Sequence, residues 1–260
     1  MKLRPSRVLA KLRSGGIASC IKLNFADARV ADLAAMHGFD CVWLDMEHSP
    51  SALHDVEKQV YAIRSHDVDA LVRVQRGSYS DLIHPLEMDA TGIMIPHVMN
   101  AGDARALVRH TRFHPQGLRP MDGGNADGAY GTVTADEYMR HANEQRFIIL
   151  QIEDPEAMDN IDEIAAVEGY DMLFYGAGDY SQAIGVPGRM DHPKILEGAR
   201  KIAEACARHG KIAGLIAIGD QVPEKIAMGY RFLSLGADVL GLNAYFGAAL
   251  ENFRKAAGSG

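Results

Sequence analysis

The chain has 260 residues, of which 47% are apolar and 23% charged, an ordinary globular composition with enough apolar surface for a sizeable core. Its formal net charge of −7 argues against a nucleic-acid or anionic-membrane partner, because either needs a basic face. Three cysteines (Cys20, Cys41 and Cys206) give an odd count without a CxxC pair, so free thiols in a reducing cytoplasm are expected, not a disulfide framework.

The first residues, MKLRPSRVLAKLRSGG, are basic but contain no apolar core of a signal peptide, and none is expected. No apolar run approaches the roughly 20 residues of a membrane span. Eight short apolar runs follow: ASCIKLNF from Ala18, CVWLDM from Cys41, DALVRV from Asp69, GIMIPHV from Gly92, FIILQIE from Phe147, DMLFYG from Asp171, KIAGLIAIG from Lys211 and FLSLGAD from Phe232. Amphipathic segments such as ADARVADLAAMHG, SALHDVEKQVYAIRSH and DNIDEIAAVEG lie between them, several ending in glycine as helices do. Continuous apolar strands separated by helices predict a parallel sheet covered on both faces. Eight such units predict a closed (β/α)8 TIM barrel, a fold of roughly 250 residues, as a single domain over residues 1–260. The glycine-rich stretch FHPQGLRPMDGGNADGAYGTV (113–133) is too long for a plain turn and reads as a functional or interfacial loop. A last helix, from about Leu240 to Ala256, carries a wide apolar face that closes the barrel or packs on a partner.

In such a barrel, catalytic side chains come from the C-terminal strand ends and the loops after them. Polar residues mark those ends: Asp45, Glu47 and His48 after the second run, Arg73 after the third, His97 after the fourth, Gln151 and Glu153 at the fifth, and Asp179 past the sixth. Alternation along a strand puts Gln151 and Glu153 on one face. Glu153 and Asp179, on adjacent strands, would repel each other at one mouth unless a proton or cation sits between them. A hard divalent ion suits this oxygen donor set, and Mg²⁺, Mn²⁺ or Co²⁺ fits better than zinc because no HxH or HExxH cluster occurs. Each residue also has a plainer reading. Strand-end acids can be helix N-caps, for which Asp154 and Asp159 are better placed. Arg73 can be a salt-bridge partner of one acid, and His48, His84 and His97 can be structural.

The segments WLDMEHSP, LVRVQ, GIMIPHV, LQIEDPEAMDNIDEIAAVEGYD and FYGAGDYSQAIGVPG occur in an order that resembles the HpcH/HpaI aldolases, metal-dependent class II pyruvate aldolases. The resemblance covers most of the chain. It implies a homohexamer, a trimer of dimers with the last helix exchanged between subunits. It implies Glu153 and Asp179 as metal ligands and Gln151 near the pyruvate. Arg73 would hold the keto or enolate oxygen, and the backbone N–H groups of Gly178 and Asp179 would receive the carboxylate. His48 would move the proton of the aldol hydroxyl, oriented by Glu87, and Arg119 of the long loop would help recognise the substrate. Asp45 and Glu47 take only a supporting place. This chain departs from the family pattern at Gly176-Ala177-Gly178-Asp179, where a proline is usual, at Glu87, where aspartate is typical, and at Pro120, where glycine is usual. These departures leave the pyruvate half-site intact and the acceptor aldehyde unnamed.

The implied reaction is reversible cleavage of a 4-hydroxy-2-oxo acid to pyruvate or hydroxypyruvate and an aldehyde, with a divalent metal ion and no organic cofactor. A Schiff-base route needs a desolvated lysine. The sixth run has none, Lys22 lies on the first, and Lys211 opens the seventh at the wrong end. Two further readings keep the same enolate site, an oxaloacetate decarboxylase and an acyl-CoA lyase, although no basic groove for CoA is evident. A non-catalytic scaffold would have lost Glu153, Asp179 or Arg73, and all three are present.

Overall fold

The computed structural model describes residues 3–258. Strands β1 (Ala18–Leu23), β2 (Cys41–Asp45), β3 (Asp69–Arg73), β4 (Gly92–Ile95), β5 (Phe147–Ile152), β6 (Met172–Tyr175), β7 (Ile212–Ile216) and β8 (Phe232–Ala237) coincide with the eight predicted runs. They pair in parallel, in chain order, and β8 returns to β1. The chain is therefore a closed (β/α)8 barrel.

Strict alternation divides each strand between two cores. Cys20, Trp43, Leu71, Met94, Ile149, Phe174 and Phe232 pack together inside the barrel. Val42, Leu44, Val72, Ile93, Leu150 and Leu173 pack outward against the helices. The helix Arg7–Arg13 adds Val8, Leu9 and Leu12 to the interior cluster and so plugs its lower end. Asp69 anchors that plug, accepting from the Ser6 hydroxyl at 2.6 Å and the Val8 N–H at 2.9 Å. With the bottom filled, only the C-terminal end of the barrel opens to substrate. The interior rows continue upward by two residues, from Cys20 to Lys22, Trp43 to Asp45, Leu71 to Arg73 and Ile149 to Gln151. The pleat that buries the apolar set therefore lifts one polar ring to the mouth.

Three details differ from expectation. The run DNIDEIAAVEG is not one helix. Helices Pro155–Asp159 and Ile161–Ala165 break at Asn160, whose amide donates to the Met99 carbonyl at 3.0 Å. Asp159 therefore ends a helix instead of capping one, and Asp154, at the N-cap position, makes no cap hydrogen bond. The last helix starts at Asp238, whose carboxylate accepts from the N–H groups of Asn24 at 2.9 Å and Phe25 at 3.0 Å. From that anchor it does not close its own barrel, because none of its 19 residues is buried, and Tyr245, Phe246 and Phe253 are each more than 60% exposed. No helix among the described residues is long and apolar enough to cross a membrane.

Candidate active site and metal centre

The mouth opens into a cavity of about 500 Å³ lined by Lys22, Trp43, His48, Arg73, Gln151 and the Tyr175–Asp179 turn. Its floor is a charge network. Arg73 donates from Nε to Asp45 Oδ1 at 2.9 Å and from Nη2 to Oδ2 at 2.6 Å. Its Nη1 lies 2.8 Å from Glu47 Oε2, and Lys22 Nζ lies 2.8 Å from Asp45 Oδ2. Both cations rest on the Trp43 indole, with Lys22 Nζ at 5.4 Å and the Arg73 guanidinium carbon at 5.0 Å from the ring centre. Burial alone would raise the Asp45 carboxyl, but the hydrogen bonds and charges of Arg73 and Lys22 outweigh it and hold that group down to about 2. Lys22 thus reaches the mouth engaged with Asp45, not as the desolvated, unpartnered lysine a Schiff base needs.

Glu153 follows the end of β5 and is almost fully buried. Its Oε1 accepts the backbone N–H of His97 at 3.0 Å, and its Oε2 accepts the side-chain amide of Gln151. Among the described residues, no lysine or arginine lies within 4 Å of it. Burial pushes its carboxyl up to about 7, the charges of Glu47 and Asp179 add to that, and the N–H and charge of His97 oppose it. Asp179 lies in the first turn of the helix Ala177–Ala183, exposed at the rim of the same cavity. The helix begins at Gly176, which must be glycine for a steric reason. A Cβ there would stand 2.6 Å from Glu153 Cβ and 3.0 Å from Gln151 Nε2.

The residue that sequence reasoning set aside is His97. It follows Pro96 beyond β4 with φ at 54°, a left-handed backbone uncommon outside glycine. Its ring Nδ1 lies 2.9 Å from Asp154 Oδ2, and its Nε2 lies 3.6 Å from Glu47 Oε1. Burial would lower this imidazole, but the Asp154 hydrogen bond and the charges of Glu153, Asp154 and Glu47 raise it instead. Glu47, His97 and Glu153 each offer one donor atom, and those atoms all fall within 4.8 Å of one another. A divalent ion fits this place on the chemistry present. The donors are oxygen and imidazole nitrogen, Gln151 Oε1 is buried without a partner, and a nearly buried carboxyl has no lysine or arginine beside it, only the His97 ring at 3.7 Å.

Two expected site residues do not come to the mouth. A barrel helix runs back toward the lower rim, so Glu87, the last residue of Tyr79–Glu87, is carried away from the strand ends. It lines a separate cavity of about 310 Å³ with Glu57, Tyr61, His84 and Tyr130. His48, with its side chain 54% exposed, has Glu47 at 3.7 Å as its nearest acid, so Glu87 does not orient it within the chain. Arg119 is buried in the long loop, where Nη2 donates to Asp127 Oδ2 at 2.7 Å and the guanidinium covers the Phe113 ring at 4.7 Å. Asp127 also accepts from the Tyr138 hydroxyl at 2.7 Å. Arg119 therefore ties that loop to itself and to the helix Ala135–Gln145, away from this chain's own mouth.

The family model described as HpcH/HpaI aldolase/citrate lyase matches residues 21–243. The chain belongs to that family. It is 32% identical over 239 residues to a hydroxypyruvate/pyruvate aldolase of Pseudomonas aeruginosa, covering 92% of this chain and 89% of the relative. It is 31% identical over 236 residues to a 2-keto-3-deoxy-L-rhamnonate aldolase of Escherichia coli, covering 88% and 86%. The solved HpcH/HpaI aldolase of Desulfitobacterium hafniense superposes with a TM-score of 0.89 at 27% identity, over 95% of this chain and 96% of that one. The matched segment of this HpcH/HpaI family member contains every strand except the first three residues of β1, and with them all the mouth residues described above.

Proposed function

We propose that the mouth of this barrel cleaves a 4-hydroxy-2-oxo acid reversibly to pyruvate or hydroxypyruvate and an aldehyde, with Glu153 and Asp179 as ligands of a divalent ion. The chain is a carbon–carbon lyase of the aldolase type, as its family and its aldolase relatives show. The observation that carries the site assignment is the uncompensated acid. Glu153 is buried and lacks a lysine or arginine partner, while Asp45, at the end of another strand, has two.

When bound, a divalent ion supplies Lewis-acid stabilisation of the charge that builds on the C2 oxygen. Other tasks fall to the chain's own groups. Arg73, fixed by Asp45 and Glu47, puts a second positive charge beside that oxygen, and losing one such donor typically costs on the order of 10²-fold or more in rate. Gln151 holds Glu153 from behind. The first turn of Ala177–Ala183 presents the N–H groups of Gly178 and Asp179 without intrahelical partners, and these receive the C1 carboxylate. His48, exposed at the rim, takes the C4-hydroxyl proton, a task suited to an imidazole near neutral pH.

The apolar last helix supports exchange between subunits, and we infer the hexamer built as a trimer of dimers from the family resemblance. Mg²⁺, Mn²⁺ and Co²⁺ are the candidate ions, and the cytoplasm the expected compartment. The test is chelator-stripped enzyme assayed with pyruvate or hydroxypyruvate against a panel of aldehydes, each ion restored in turn. Turnover should appear only with metal, and full activity in the stripped enzyme would refute the reading. Borohydride with pyruvate should leave Lys22 unmodified.

A further inference from the structure

His97 has a left-handed backbone that places it where two strands' functional ends meet. Its N–H is committed to Glu153 Oε1 at 3.0 Å, which fixes the residue beside β5. Its ring is hydrogen-bonded on one side only, through Nδ1, which also lies 3.7 Å from Glu153 Oε1. Nδ1 lies 2.9 Å from Asp154 Oδ2, so the ring proton belongs at Nδ1 in the neutral tautomer and the lone pair belongs at Nε2. Nε2 faces Glu47 Oε1 at 3.6 Å, too far for a hydrogen bond.

Two ligands of one octahedral ion stand about 3 Å apart at bond lengths near 2.1 Å. The separation between His97 and Glu47 is therefore a short closing movement from shared coordination. Each donor is also oriented from behind. Arg73 holds the far oxygen of Glu47, Gln151 holds the far oxygen of Glu153, and Asp154 holds the His97 nitrogen that faces away from Glu47. A carboxylate behind a histidine, fixing its tautomer and raising its basicity, is the usual support of a metal-bound imidazole. None of these supports is needed if His97 only fills space, because its side chain is 37% exposed.

We propose that His97 is a nitrogen ligand of the divalent ion, with Glu47 beside it, in addition to the carboxylates assigned above. This rests on the metal reading of the mouth and sharpens it. An imidazole in the donor set favours Mn²⁺ and Co²⁺ over Mg²⁺, which prefers oxygen alone.

The test is Mn²⁺ added to the metal-stripped chain, read by pulsed electron paramagnetic resonance for ¹⁴N coupling and by calorimetry for affinity. The variant is His97→Asn, because asparagine tolerates the left-handed backbone and offers no ring nitrogen. Wild type should show nitrogen coupling, and His97→Asn should lose it. Mn²⁺ affinity should fall by on the order of 10-fold or more in the variant, with Mg²⁺ affinity changed much less. Mn²⁺ bound without nitrogen coupling in wild type, or coupling that persists in His97→Asn, would overturn this inference alone. Failure of wild type to bind Mn²⁺, or unchanged binding in Glu153→Gln, would overturn the metal reading with it.

Discussion

Gly176→Ala probes the site without touching any proposed side-chain ligand. The new methyl would stand 2.6 Å from Glu153 Cβ, whereas carbon atoms in contact prefer about 3.5–4.0 Å. Something must yield by about 1 Å. The backbone of Gly176 is held by its N–H to the Ile152 carbonyl at 2.9 Å, so the turn cannot simply back away. The side chain that yields is Glu153, which is 1% exposed and has hydrogen bonds on both carboxylate oxygens. Overpacking of this kind costs about 1–3 kcal/mol. At roughly 2–4 °C per kcal/mol, the melting temperature should fall by several degrees.

The functional loss should be disproportionate. A 1 Å displacement of a reacting or ligating group costs on the order of 10²-fold in rate. Calorimetric titration of the stripped enzyme with Mn²⁺ and measurement of kcat/KM should both register it. Gly178→Ala is the control two residues away, where an added Cβ meets nothing within 4 Å, and it should keep metal affinity. Wild-type affinity and turnover in Gly176→Ala would mean that Glu153 need not sit where the structure puts it, and the site assignment would fail.

In metal-free protein, the Glu153 carboxyl keeps its proton up to about 7 against an ordinary glutamate value of 4.5. Its stabilising contribution is therefore complete below about pH 4.5 and is lost as pH rises to about 7, a fall of order 3 kcal/mol. Glu153→Gln should remove that slope, and melts in chelator that fall equally for both proteins across that range would contradict the assignment. Arg73→Lys should lose about 10²-fold or more in turnover, because lysine cannot make the forked contact to Asp45 and reach Glu47 together. Near-normal rates in that variant would remove Arg73 from the mechanism. Tyr245→Ser with Phe246→Ser should lower the assembly mass in analytical ultracentrifugation, and an unchanged mass would refute a partner for the last helix.

The barrel was legible because its strands must be apolar on both faces, which leaves continuous runs such as FIILQIE that no surface strand would carry. The mouth acids were legible because a charge ending such a run has to be lifted clear of the core. His97 was not, since its partners Glu47, Glu153 and Asp154 lie about fifty residues away in either direction and only the barrel brings them together. A signal was present nonetheless, in the position of GIMIPHV at a strand end next to the strand that carries Glu153. Glu87 and Arg119 lie away from this chain's own mouth for the opposite reason. A matching motif identifies a position but not its neighbours, and within this chain helix direction takes Glu87 to the lower rim while Asp127 claims Arg119.

Five acids crowd this mouth, and the cations already present decide which of them can hold an ion. Asp45 is saturated, with Arg73 on both oxygens and Lys22 on one, and its carboxyl is held down to about 2. Coordinating a metal there would mean displacing the buried Arg73 and the half-buried Lys22. Glu47 has one oxygen against Arg73 and the other facing His97, so half of it is available. Asp154 is engaged by the His97 ring. Glu153 and Asp179 have no lysine or arginine within 4 Å among the described residues, and Glu153 is buried as well. Burial of a carboxylate is expensive, and the hydrogen bonds of His97 and Gln151 and the His97 charge offset it only in part, so the group keeps a proton until about pH 7. A doubly charged ion held as proposed would compete with that proton, and Asp179, at the rim outside the close Glu47–His97–Glu153 group, would have to reach in to share it. On the proposed metal reading, the distribution of arginine and lysine across the floor does as much to specify the position as the acids do, because it neutralises Asp45 and half of Glu47 and leaves Glu153 and Asp179 without a lysine or arginine.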